Sequence, residues 1–99
     1  MKIKINDGLE FGIDLYNRFS NATGNIKSMA NIAFSDMSVY DEFAAFQETP
    51  IEDIKIFDDE GKQIYHLANQ NAIVTSINEN IVNGTAPKIN ATLAFMVKE

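Results

Sequence analysis

The chain has 99 residues, no cysteine and one histidine, His66, and fourteen acids against eight bases give it a net charge of −6. That length allows a single domain with one real core, since folding takes an accessible surface of roughly 16,000 Å² down to about 5,700 Å². The composition excludes disulfides, thiolate metal sites, iron–sulfur clusters, cysteine nucleophiles and a histidine-rich metal centre.

No apolar run approaches the ~20 residues of a membrane span, so no membrane partner is expected. The opening Met1-Lys2-Ile3-Lys4-Ile5 lacks the apolar block of a signal peptide. Ile3 and Ile5 alternate with Lys2 and Lys4 as in a strand. Asn6-Asp7-Gly8 then predicts a hairpin turn with Gly8 at positive φ. The return strand places Leu9, Phe11, Ile13 and Leu15 on one face and Glu10, Gly12, Asp14 and Tyr16 on the other.

Residues 17–25 are polar and turn-rich and read as a loop, with an irregular strand extension as the alternative given Phe19. A third strand follows, in which Ile26, Ser28, Ala30, Ile32 and Phe34 alternate with their neighbours; a helix is its competitor, because Ala and Met favour one. Ser38-Val39-Tyr40-Asp41 has the form of a capping box, with Ser38 as the N-cap. Val39, Phe43 and Phe46 then follow at helical spacing up to Thr49-Pro50, which predicts one amphipathic helix over 38–47 whose Phe stripe faces the core.

A second hairpin runs from Asp53–Phe57 through the turn Asp58-Asp59-Glu60-Gly61 to Lys62–Ala68. The turn does not fit an EF-type calcium loop, whose first ligand position would fall on Ile56. The β-branched run 72–77 predicts another strand, with a short edge pairing at Ile81 and Val82 after it. The last strand carries Ile89, Ala91, Leu93, Phe95 and Val97 on one face. Its other face, which includes Ala94 and Met96, is also fairly apolar, so the strand is expected to be central or to meet a partner.

Nine acids and one base lie between Asp36 and Glu60, so that segment carries −8 and the remainder +2. The simplest role of such a segment is a solvated face. With one Arg and no basic patch, direct nucleic-acid binding is not expected. None of the ten Ser and Thr residues sits in a nucleophile elbow or a Ser-x-x-Lys pattern. His66 falls in a strand in step with Ile64, and the adjacent carboxylates point to opposite faces rather than forming dyads. No glycine loop cradles a phosphate. Asn-x-Ser/Thr triplets at Asn21, Asn83 and Asn90 are chance products of composition. Neither an enzyme nor a cofactor is expected.

Three stretches, in this order, are Lys2-Ile-Lys-Ile-Asn-Asp-Gly-Leu-Glu-Phe11, Phe34-Ser-Asp-Met-Ser-Val-Tyr-Asp-Glu-Phe43 and Ile54-Lys-Ile-Phe-Asp-Asp-Glu-Gly-Lys-Gln-Ile-Tyr65. Together they resemble small uncharacterised phage and prophage proteins of Gram-positive bacteria encoded beside tail or baseplate genes, over about a third of the chain. Members of that group often continue into a variable tail, whereas this sequence ends at Glu99. The resemblance implies a part of a virion or of its assembly, with no catalytic residues.

The expectation is therefore one α+β domain over residues 1–99, mostly antiparallel sheet in the order βββ-α-ββββ with the helix on one face; a small β-sandwich or partly open barrel is the alternative. The expected function is a non-enzymatic structural or assembly protein of the tail or baseplate type. It would sit in a virion or the host cytoplasm and act as a homo-oligomer through protein–protein contacts. The competing expectation is an acidic inhibitor that docks on a host nucleic-acid enzyme through the 36–60 segment. Asp58, Asp59 and Glu60, with Ala94 and Met96, are the candidate partner surface.

Overall fold

Among the described residues, alternation of apolar and polar side chains resolves into eight strands, all paired antiparallel, and one short helix. The structure is a computed structural model and describes residues 1–97; of the side chains of residues 21 and 22 nothing is stated, so the triplet at Asn21 lies outside the description. The strands are β1 (Lys2–Ile5), β2 (Leu9–Gly12), β3 (Leu15–Thr23), β4 (Ile26–Phe34), β5 (Ile54–Phe57), β6 (Gln63–Leu67), β7 (Ala72–Asn80) and β8 (Lys88–Met96). The helix, α1 (Tyr40–Ala44), is flanked by single 3-10 turns at Met37–Val39 and Ala45–Gln47.

The strands form two four-stranded sheets, β2-β1-β5-β6 and β3-β4-β8-β7. One cluster of buried residues joins them, with Ile3, Ile5, Phe11, Ile54 and Ile56 from the first sheet meeting Ala30, Ile32, Phe34, Val74, Leu93 and Phe95 from the second. Strand β8 is central, paired to β4 on one side and β7 on the other. The order is thus ββββ-α-ββββ, and the helix contributes to a core between two sheets instead of covering one face of a single sheet.

The extra strand is β3. Residues 17–23 are not a loop but pair with β4 from Leu15↔Ala33 to Thr23↔Ile26. The chain changes sheets just before it, where Ile13 N–H bonds to Met1 C=O (2.9 Å) and Asp14 N–H to Ala33 C=O (2.8 Å). Alternation continues through that crossing, but the core now lies on the other side. Leu15 therefore ends 47% exposed and Tyr16 turns inward against the core.

Three local expectations are corrected. In the β1–β2 turn Asn6 and Asp7, each at φ 53°, take the left-handed positions, and Gly8 N–H closes the turn onto Ile5 C=O (2.9 Å); Asn and Asp tolerate that region, so Gly8 is not needed there. The helical segment starts earlier than Ser38, because Asp36 is the cap and its carboxylate accepts the Ser38 N–H (3.0 Å). Residues 81 and 82 form no strand and are exposed, Val82 C=O instead closing a turn with Thr85 N–H.

Candidate interaction surface

The outer faces of the two sheets differ in charge. On the first sheet a cross-strand row reads Glu10–Lys4–Lys55–His66, flanked by the ion pairs Lys55–Asp7 (2.7 Å) and Lys2–Glu10 (3.8 Å). On the second, three successive rows read Phe19–Met29–Ala94–Ile73, Asn17–Asn31–Thr92–Ser76 and Leu15–Ala33–Asn90–Asn78. None of these residues is charged, although 22% of the chain is; the next row, Asn80–Lys88, brings in Lys88, which pairs with Asp14 (3.1 Å).

The first of the uncharged rows is an apolar stripe across all four strands, extended at its end by the pair Ile26–Met96. Ala94 is 1% exposed yet does not belong to the inter-sheet core, so the neighbouring side chains of its own face cover it. Phe19 remains 38% exposed. Next to the stripe, Thr92 Oγ1 donates to Asn31 Oδ1 (3.3 Å). Two of the residues expected from sequence, Ala94 and Met96, thus lie on this face. Phe19, Met29 and Ile73 complete it; Phe19 falls in the stretch that reads as a loop or an irregular strand extension, and only the alternation Leu15, Asn17, Phe19 against Tyr16, Arg18, Ser20 marks it as regular strand.

Asp58, Asp59 and Glu60 sit in the β5–β6 turn, on the other sheet. The Asp58 carboxylate accepts the N–H groups of Glu60 and Lys62, both at 2.9 Å, and Gly61 takes φ 87°, so Asp58 builds the turn. Asp59 pairs with the Met1 ammonium, whose hydrogen bond holds the carboxyl below its ordinary value of 3.8. Of the three acids, Glu60 is the one with no side-chain partner among the described residues. The turn and the Ala94–Met96 face are separate surfaces.

His66 Nε2 lies 2.7 Å from Asp53 Oδ1, and no hydroxyl among the described residues bonds to this pair. No three metal-ligating side chains gather among the described residues, and no helix there is long and apolar enough to cross a membrane.

At one end of the sandwich β6 meets β3. The Tyr16 and Tyr65 rings lie 5.5 Å apart, Arg18 Nε donates to Ser28 Oγ (3.1 Å) and Arg18 Nη1 to Tyr65 Oη (3.2 Å). The Arg18 guanidinium carbon lies 5.1 Å from the Phe95 ring centre. A shallow cleft of about 450 Å³ opens here, lined by Arg18, Phe19, Ser20, Lys27, Ser28 and Tyr65.

The Tyr16 hydroxyl is buried and meets no hydrogen-bond partner among the described residues. Burial, with the neighbouring Tyr65 phenol, pushes its ionisation well above the ordinary value of 10. In the unfolded chain this phenol ionises near pH 10, while in the fold it keeps its proton to higher pH. Its contribution to stability is therefore complete below pH 10 and lost as pH rises above it. Tyr16→Phe removes an unsatisfied donor and is expected to change stability at pH 7 by less than about 1 kcal/mol. It should also flatten the fall in melting temperature above pH 10; a thermal-melt series from pH 7 to 11 on both proteins checks this.

The chain matches no family model, no curated protein and no solved structure, so a reading of its role rests on its own residues.

Proposed function

We propose that this chain is a non-enzymatic structural or assembly component, of the tail or baseplate type that its three phage-like stretches suggest, and that it works by self-association through the outer face of β3-β4-β8-β7. The observation that carries the reading is the three successive uncharged rows with their apolar stripe, bordered on that face by Lys88 in the next row, in a chain of net charge −6. Two copies of an acidic protein repel one another over most of their surfaces. They meet without that repulsion where no charge is present, and an isologous contact lays the stripe of one copy on that of the other. The charged outer face of the first sheet offers no equivalent.

Light scattering over a concentration series at low and high salt tests the proposal. A discrete oligomer that survives high salt is expected, because apolar burial is not screened as ion pairs are. Met96→Lys places a charge at the end of the stripe and should shift the mass to that of the monomer. A wild-type monomer at every concentration would overturn self-association, and an oligomer unchanged by Met96→Lys would move the interface elsewhere. In the acidic-inhibitor reading the contact would be salt-sensitive and would depend on Asp58 and Asp59. Both carboxylates already have partners within the chain, which favours the uncharged face.

A further inference from the structure

Arg18 occupies an inward register position. Its row across the second sheet is Arg18–Ala30–Leu93–Val74, and the other three members are buried. A cation in such a row is costly unless it reaches water or a carboxylate. Here it reaches the mouth of the cleft, and no carboxylate among the described residues pairs with it. Its partners are two neutral hydroxyls and an aromatic face, and one of the hydroxyls belongs to Ser28, which is 5% exposed. The guanidinium is thus oriented by these contacts while the residue itself stays exposed, with water as its remaining partner and no carboxylate beside it among the described residues. Lys27, lining the same cleft, also has no ion-pair partner among the described residues.

We propose that this cleft is a binding site for an organic phosphate, with the phosphoryl group held between Arg18 and Lys27 and the organic body against Phe19 and Tyr65. Two hydrogen bonds occupy two of the five guanidinium N–H donors, leaving three. The Lys27 ammonium and the Ser20 hydroxyl add to these, and together they exceed what the two oxygens of a carboxylate take up. A phosphate monoester presents three terminal oxygens and a charge of about −1.5 to −2 at neutral pH, matching two cations. The cleft volume of about 450 Å³ exceeds what a bare phosphate fills and lies within the range of small-molecule sites. Phe19 and Tyr65 supply the apolar walls that such a body needs. An inward charge on an edge strand also discourages strand pairing with other chains; that role accounts for Arg18 but not for its fixed orientation or for Lys27 beside it. The proposal does not rest on self-association, but Phe19 belongs to both the stripe and the cleft, so a contact between copies that covers Phe19 competes with the ligand.

The test is an amide NMR titration of the full chain with phenyl phosphate, inorganic phosphate and benzoate. Phenyl phosphate is expected to give saturable shifts at residues 18–20 and 27–28, with benzoate and inorganic phosphate each about tenfold weaker or more. Lys27→Gln, at an exposed position, should leave the fold intact and weaken phenyl phosphate by about tenfold, and Arg18→Gln should weaken it further. Absence of saturable shifts, or equal binding by wild type and Lys27→Gln, would overturn the site. Benzoate binding as tightly as phenyl phosphate would overturn the phosphate assignment. Inorganic phosphate binding equally well would remove the organic body from it.

Discussion

Phe43→Ala is expected to destabilise the protein by about 3–5 kcal/mol, the largest effect of any single truncation considered for this fold. Phe43 is 0% exposed and stands on a helical segment too short to be stable by itself. What holds that segment is a triangle of rings. Phe43 lies 5.4 Å from Phe34 of β4 and 5.7 Å from Phe11 of β2, and those two lie 4.8 Å apart, all edge to face. One ring comes from each sheet and one from the helix, so removing the third opens a cavity where the three units meet. Edge-to-face pairs add about 0.5–1.5 kcal/mol each beyond area burial, which places this site at the upper end of the range. Phe46→Ala, at a partly buried position one turn on, should cost clearly less. Urea unfolding of the two variants gives the comparison. A Phe43→Ala cost below about 1 kcal/mol would mean that the helix lies outside the core.

The segments that could be read from the sequence are those where one face is buried and the other wet. Ile3 and Ile5, Ile54 and Ile56, and the run Ile89, Ala91, Leu93, Phe95 all fall on the inner faces where alternation puts them. The Phe stripe of the helix likewise faces inward at Phe43. Strand β3 is hard to read as a regular strand because neither of its faces is consistently apolar. Its outward residues include Asn17, and its inward residues Arg18 and Ser20 line an open cleft. The continuous alternation from Leu9 to Leu15 concealed the change of sheet, since the period is unchanged while the buried side reverses.

Much the same limit applies to the candidate surface. Ala94 and Met96 could be singled out because the second face of the last strand is apolar on its own. The stripe they belong to is a property of register, and Phe19, Met29 and Ile73 are brought into line with Ala94 by pairings among four strands. Nothing local in the sequence encodes that alignment. The cleft is less legible still, since Arg18 and Tyr65 are 47 residues apart and belong to different sheets. Asp58 and Asp59, by contrast, were prominent in the sequence, and the structure gives them local work in a turn and at the chain's first residue.

Asn6→Ala should cost about 2–3 kcal/mol, unusually large for an exposed side chain, since it combines a lost anchor with a strained backbone. Asn6 Oδ1 accepts the N–H groups of Glu52 (2.8 Å) and Asp53 (3.0 Å), and Nδ2 donates to Pro50 C=O (3.3 Å). Its own backbone N–H bonds to Asp53 C=O (2.9 Å). One side chain therefore fixes residues 50–53, the link between the helix and β5, onto the end of β1, next to the Ile5↔Ile54 pair. The residue does this from φ 53°, which alanine adopts at a cost of about 1–2 kcal/mol and glycine freely. Asn6→Gly thus removes the anchor without the strain and should cost only about 1 kcal/mol, because water can replace part of the lost bonding at an exposed site. Hydrogen exchange separates the two contributions. The Glu52 and Asp53 amides should exchange faster in both variants, while the global unfolding free energy falls further in Asn6→Ala. Unaltered exchange at those two amides in Asn6→Gly would show that the link is held by its strand pairing alone, and the difference between the variants would then measure backbone strain.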